Sequence, residues 1–591
     1  MDRTGKIGVA FAIIVLVVWQ LFYSKQMEQT RLSQEKAAAA QQAQEVAGGG
    51  AAPSAAASGL PSSTSGAPAS SAAAPAAAAS NGPVLPKVTE VLSDDEVEWT
   101  FSNLGGGVAQ VKLLKHLSEG KTPLLLNEFG GIPIGAITES FESTVLDSYE
   151  TEVAEDRKRI TFKRLDARQI SVEKKYSLQP RGEGKTGAAA YRLDLEVRFV
   201  NRGSAPATVP AYAYRAGSAA ALHIKDMPLY TGISRMSSGS AKYTDVTWFS
   251  GGGFLGFNKQ PRPVYQDAGQ IQWAGVTNQY YSTILTPLGD PAAEVLARPF
   301  QVSMDEWTGG GRSGDGVVPL AVDGALRYGA TVLEPGKELV RKFAVYSGPR
   351  EHWRLRELGG GQEQIMDFGM FGFVSKILLA SMSGLHGLLG SYAAAIIVLT
   401  LIIKTLMWPM QNKSTASMKK MQDLQPKMTA LREKYADDPT RMNQELLGLY
   451  KKHGVNPMAG CLPMLVQIPI FFGFYNMLGK AVELRNSPFL WVTDLSQPDT
   501  VAVVAGFPIN VLPILMAGTM LYQMRLTPKT GDPVQQRMFM FMPLIFVVFC
   551  YNYASGLALY WTVQNVFTIV QLLVTNRNQR SGLQVVSGGG I

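Results

Sequence analysis

Lys404 stands alone in an apolar run. In VLTLIIKTLMWPM (398–410), no Lys, Arg, Asp or Glu precedes it back to Leu385, and six residues separate it from Gln411. The run is long enough to span a bilayer, where a central lysine costs about 2.5–3.5 kcal/mol on insertion scales. Thr400, four residues earlier, shares its helical face. Gln467 lies in the middle of the next apolar run. Tyr560, Gln564 and Gln571 recur at helical spacing in the last one, with Trp561 and Asn565 beside them. These side chains offer one cation and a set of amide and hydroxyl groups, which suits them to hold water or a visiting acidic segment inside hydrocarbon. Snorkelling is the plainer alternative. Met410 is about 9 Å of helix rise away, and a lysine side chain recovers much of that. On the residues alone both readings stand. No Asp or Glu lies in the core of any apolar run, which argues against a proton-relay transporter.

Other chemistry finds little support. The net charge of +8 is spread along 591 residues without a basic block or an aromatic-basic groove, so no nucleic-acid recognition is expected. His116, His223, His352, His386 and His453 are scattered without metal-ligand spacing, and Cys461 and Cys550 both fall in apolar runs. Neither a metal site nor a disulfide framework is indicated. RGEGKTG (181–187) has Gln179 where a P-loop needs its first glycine, and it lacks the strand-to-helix context. It reads as a polar hairpin loop. No nucleophile–base or carboxylate pair can be placed, so neither enzymatic activity nor a cofactor is expected.

The elements that must position Lys404 and its companions are laid out in order. Ile7–Tyr23 is about long enough to span, ends in Trp19, Phe22 and Tyr23, and is followed by no small-x-small cleavage site. It reads as an uncleaved anchor over 1–24. Residues 25–83, dominated by Ala, Ser, Gly, Pro and Gln, form a flexible tether with a reach of about 45 Å. Over 84–349, alternating stretches such as DEVEWTFSN, YRLDLEVRFVN and ELVRKFAVYSG, punctuated by Gly and Pro, predict an all-β sandwich. Residues 350–384 connect to an amphipathic helix on the membrane surface, FGFVSKILLASMSGL (371–385). Five spans are expected within 385–576: Leu385–Met410, Cys461–Gly479, Val501–Met524, Met538–Tyr553 and Gly556–Val574, the last two forming a tight hairpin. Pro463 and Pro469, Pro508 and Pro513, and Pro543 should bend three of them and loosen the bundle. A short tail fills 577–591. The expected fold class is a multi-span α-helical membrane protein with six transmembrane helices and a large all-β sandwich domain.

Loop charges set the orientation. The 411–460 loop carries nine Lys and Arg, whereas 480–500 has only Lys480 and Arg485. This places 411–460, 525–537 and both termini in the cytoplasm and 84–349 outside it. Within 411–460, Met418, Met421, Leu424, Met428 and Leu431 recur at helical spacing. After ADDPT, so do Met442, Leu446, Leu449 and Tyr450. A helical hairpin follows. Met418, Met421, Met428 and Met442 either pack its two helices together or present an adaptable surface for a substrate or partner.

KMQDLQPKMTALREKY, LYKKHGVNPMAGCLPMLVQIPIFFGFYNML, ELRNSPFLWVTDLS, VLPILMAGTM, MFMFMPLIFVVF and SGLALYWTVQN resemble the YidC/Oxa/Alb family of membrane protein insertases over about 385–576. The order of anchor, tether and β domain resembles its Gram-negative bacterial branch. The resemblance implies an insertase and chaperone of the bacterial inner membrane. It would act without ATP on nascent membrane proteins in the lipid bilayer, alone or with the Sec translocon. It also implies a hydrophilic groove, open to cytoplasm and lipid and closed on the far side. The groove residues would be Lys404, Thr400, Gln467, Tyr560, Trp561 and Gln564, with Tyr560 and Trp561 matching positions along the substrate path. The family commonly has arginine at the position of Lys404, which keeps the charge in a more strongly hydrated form. The 84–349 domain would be a periplasmic supersandwich without established chemistry. Relatives with long basic tails hold ribosomes with them. Here only Arg577 and Arg580 are basic in the tail, so ribosome contact would rest on the 411–460 and 525–537 loops. A small-solute channel or transporter with a periplasmic sensor domain is the competing class, disfavoured by the missing carboxylates and the Met-rich hairpin.

Overall fold

The computed structural model describes residues 86–587 except 119–120, 180–186, 225, 251–259, 304–306, 308–318, 456–461, 505–506, 528–540, 542 and 549. The anchor, the tether, most of RGEGKTG, Cys461, most of the 525–537 loop and the start of the Met538–Tyr553 span lie outside the described residues.

Strand Arg192–Asn201 shows why the first domain folds as a sandwich. Leu193, Leu195, Val197 and Phe199 point inward and the residues between them do not, which is the two-residue period of a half-buried strand. It lies between Ile170–Leu178 and Glu338–Pro349 in a thirteen-stranded antiparallel sheet. A four-stranded sheet, running from Thr89 to Leu126, packs against it. Phe101 meets Tyr176 at 5.2 Å between ring centres. The Lys174 ammonium, buried in this seam, donates to the carbonyls of Gly105, Gly106 and Gly135 at 2.6, 3.2 and 2.9 Å. Three acceptors match its three protons. Tyr214 packs on Phe343 at 4.5 Å although their strands are not neighbours, so the larger sheet folds back over itself.

Eight helices are named here: α1 (His352–Glu357), α2 (Gly372–Leu389), α3 (Tyr392–Asp423), α4 (Gln425–Lys434), α5 (Pro439–Lys452), α6 (Leu462–Leu478), α7 (Val511–Leu526) and α8 (Ser555–Ser587). Among the described residues α2, α3 and α8 are long and apolar enough to cross a membrane, and α6 and α7 are shorter apolar helices. Ser375 of α2 donates to the Gly473 carbonyl of α6 at 3.1 Å, which ties those two together. A turn at 551–554 leads into α8, as the short spacing required.

Three expectations need correction. The run Leu385–Met410 belongs to two helices, because Gly390, at φ 67°, ends α2 in a left-handed cap. α3 then starts at Tyr392 and continues past Pro409 to Asp423. The expected span Val501–Met524 is not one helix. Thr500–Val504 and Phe507–Asn510 pair as an antiparallel β-hairpin, and only then does α7 begin. Valine-rich apolar runs serve strand and helix alike, and periodicity does not separate them. The proline argument weakens accordingly. Pro508 lies in the hairpin, and Pro463 and Pro513 lie in first turns, where a missing N–H costs nothing. Of the prolines expected to bend the spans before Pro543, Pro469 interrupts a helix interior, as Pro409 does in α3.

Thr415–Ala459 belongs to a separate compact unit with its own core. Leu424, Met428, Leu446 and Val455 are buried together, with Met421, Leu431, Met442, Leu449 and Tyr450 packed around them. The Tyr450 hydroxyl approaches the Met428 sulfur at 3.8 Å. Two short helices gain most of their stability from each other's apolar face. Met428 is therefore enclosed, Met421 and Met442 are partly so, and Met418 lies outside this cluster.

Candidate functional site

α3 and α8 run side by side in the same direction. The Ile396 side chain lies over Gly556, Trp408 meets Phe567 edge-on at 5.5 Å, and Gln571 donates to the Asn412 side chain at 3.0 Å. Lys404 falls midway between the first and last of these crossings, at the depth of Gln564. It is half-buried, and among the described residues it takes no hydrogen bond or ion pair. Thr400 is buried, and its hydroxyl donates to the Ile396 carbonyl at 2.7 Å, so its proton serves its own helix.

Gln467 of α6 joins two of the expected residues on α8. Its amide donates to the Tyr560 hydroxyl at 2.8 Å and to the Gln564 side chain at 3.1 Å. Tyr560 is fully buried and stacked on Phe474 at 4.0 Å. Trp561 stands edge-on to Phe471 at 4.9 Å, and Tyr475 stacks on Tyr553 at 4.6 Å. α8 is therefore divided. Its first turns are filled by interlocked rings, whereas the next carry buried Gln564, Thr568 and Gln571, with Lys404 and Asn412 on the neighbouring helix. Asn565 looks the other way, donating to the Met516 carbonyl and the Thr519 hydroxyl of α7 at 3.3 and 3.1 Å. Asn412 is a residue that sequence reasoning missed, because it lies beyond Met410, where the apolar run ends. The amides of Gln467, Gln564, Gln571 and Asn412, the Tyr560 hydroxyl and one cation have the donors and acceptors to solvate a polar backbone or carboxylate. No group of three His, Cys, Asp or Glu able to hold a metal occurs among the described residues.

Replacing Gln467 with leucine leaves the Tyr560 hydroxyl and the Gln564 oxygen without their donor. Interhelical hydrogen bonds in membranes contribute about 0.6–1.7 kcal/mol. The expected outcome is a lower thermal midpoint for the full chain in detergent, partly restored by Gln467→Asn. An unchanged midpoint for the leucine variant would show that the amide does not hold α6 to α8.

The outer ends of these helices are held by the β domain. Gln279 donates to the Gly479 carbonyl at 2.8 Å and the Tyr280 hydroxyl to the Ser496 carbonyl at 3.3 Å. Tyr230 and Tyr553 share a hydroxyl contact at 3.2 Å. A Cβ on Gly479 would collide with those two hydroxyls. Arg485 donates to the Tyr281 hydroxyl, which bonds His116 Nδ1, while His116 Nε2 bonds Tyr191, each at 3.2 Å. Burial, with Arg354 and Arg485 nearby, pushes the His116 imidazole down to about 4. It is therefore neutral at physiological pH.

Comparison with known proteins bears on this arrangement. Residues 91–381 match the family model described as YidC periplasmic domain, and 384–582 match that described as 60Kd inner membrane protein. A membrane protein insertase YidC from Geobacter sp. (strain M21) is 31% identical over 486 residues, covering 81% of this chain and 83% of the relative. One from Syntrophus aciditrophicus (strain SB) is 32% identical over 440 residues, covering 74% and 73%. A crystal structure of an active YidC insertase aligns over 83% of this chain and 93% of that one, at 17% identity and a TM-score of 0.32.

Proposed function

The chain belongs to the YidC family of membrane protein insertases, and we propose that it passes its substrates along the polar strip between α3, α6 and α8, with Lys404 receiving acidic segments. The observation that supports this reading is the division of α8, with rings filling the turns beside the β domain and amides lining the turns beyond. A polar segment entering from the end away from the β domain would find water and amide partners about halfway through the bilayer and meet a closed aromatic end. The barrier to crossing is lowered by shortening the apolar distance, and no nucleotide is needed. The substrate's own apolar span would leave sideways into lipid.

In this reading six spans put both termini in the cytoplasm and the β domain in the periplasm. The chain inserts short-tailed substrates alone and assists folding of larger ones beside the Sec translocon. Its basic 411–460 and 525–537 loops face the ribosome. Reconstitution tests it. Purified full chain in liposomes, given a single-span substrate with a short acidic leading segment, should protect that segment from added protease without ATP. Protection no greater than in protein-free liposomes would overturn the reading.

A further inference from the structure

Thr500–Val504 and Phe507–Asn510 form a two-stranded sheet that pairs with no other strand among the described residues. A lone two-stranded ribbon is marginal in water. Every residue of Thr500–Val504 is exposed, on both faces of the ribbon. Val501, Val503, Val504 and Phe507 are 50, 64, 60 and 59% exposed. No charged residue occurs between Asp499 and Arg525, although charge is the usual protection of an exposed edge strand.

The base of the ribbon is nevertheless fixed. Asp499 accepts from the Leu512 backbone N–H at 2.6 Å, at the start of α7, and from the Trp491 indole at 3.1 Å. Asn510 donates to the Tyr551 carbonyl at 2.6 Å, and Phe507 packs on the Tyr551 ring at 5.4 Å. The loop that leads into it, at Gly479 and Ser496, is bonded to the β domain, so the ribbon stands at the same end of the spans as that domain.

We infer that the paired strands Thr500–Val504 and Phe507–Asn510 are a lipid wedge, seated at the headgroup–acyl boundary of the leaflet that faces the β domain. Three observations favour lipid over a second copy or another protein. A protein surface would cover one face, whereas the first strand, Thr500–Val504, is open on both. The exposed side chains continue directly into Ile514 and Leu515, exposed on α7, which face lipid if α7 spans. α7 has 16 residues, about 24 Å of helix, against a hydrocarbon thickness of about 30 Å. The ribbon supplies apolar height where the helix falls short. Its unpaired strand edges keep it from going deeper, because unsatisfied backbone groups are excluded from the bilayer core. Trp491, bonded at the base, suits the same boundary.

The test uses full-length chain with Cys461 and Cys550 replaced by serine, and a polarity-sensitive fluorophore on Val503→Cys or, separately, Val504→Cys. Each protein is reconstituted in phosphatidylethanolamine–phosphatidylglycerol vesicles and checked for retained insertion activity. A label on Val332→Cys, 61% exposed at the end of the β domain away from the spans, serves as the aqueous control. We expect emission shifted to the blue and iodide quenching several-fold below the control. Nitroxide lipids labelled near the headgroup should quench more than those labelled near the chain end. Iodide quenching equal to the control would place the hairpin in water and overturn the inference. Protection from iodide without quenching by either lipid would mean a protein covers it, which overturns it equally.

Discussion

Lys404→Glu should nearly abolish insertion of substrates whose leading segment is acidic, and Lys404→Ala should impair it, while Lys404→Arg retains it. The lysine adds a few kcal/mol to the cost of placing α3 in the bilayer, so it is not there for folding. It has no ionic partner among the described residues, and it lies at the depth where Gln564 and Gln467 supply the surrounding polarity. An opposite charge about 4 Å away gains roughly 1–4 kcal/mol between aqueous and partly shielded settings. That amounts to about five- to several-hundred-fold in occupancy, and the glutamate variant reverses its sign. Substrates without acidic residues should respond less. The measurement is protease protection of the leading segment in reconstituted vesicles at matched protein levels. Equal insertion of acidic substrates by the alanine, glutamate and parent proteins would leave Lys404 as a snorkelling side chain.

How far the sequence revealed this arrangement depends on which signals are local. Strand Arg192–Asn201 was legible because a period of two needs only ten residues to show itself. Lys404 was legible because a charge in an apolar run is costly wherever it sits. The polarity of Gln467, Tyr560 and Gln564 was visible, but their mutual bonding was not, since it joins residues nearly a hundred apart. The docking of Gln279 on Gly479 crosses 200 residues and leaves no trace in either segment. The hairpin at 500–510 was misread for a different reason. Hydropathy reports the solvent a segment prefers, and a ribbon at the bilayer surface prefers the same solvent as a helix within it. Asn412 escaped notice because Pro409 and Gln411 looked like an ending, whereas the helix tolerates that proline and continues to Asp423.

In the β domain, the largest loss of stability should come from Arg215→Met. Arg215 is fully buried, donates to Asp323 at 2.8 Å, to the Ser143 carbonyl at 3.1 Å and to the Phe141 carbonyl, and lies 4.4 Å above the Phe141 ring. Asp323 also accepts from Arg298 at 3.2 Å. Removing one partner of a buried pair typically costs about 3–5 kcal/mol, because the other charge is left behind. The pH dependence follows from which charge that is. Burial holds the Asp323 carboxyl above its ordinary range even with Arg215 and Arg298 opposing the shift. Without Arg215 its folded-state value rises further. A carboxyl raised on folding contributes stability that is present below the unfolded carboxylate range and lost as pH rises through the folded value. The variant should therefore be closest to the parent in acid and fall away toward neutral pH. Pulse proteolysis of the full chain in a urea series reads this directly. Arg215→Met with Asp323→Leu should recover part of the loss, since the buried charge is removed with its partner and Arg298, which loses Asp323, is partly exposed. A single variant as stable as the parent at neutral pH, or a double variant no better than the single, would show that Asp323 does not depend on Arg215.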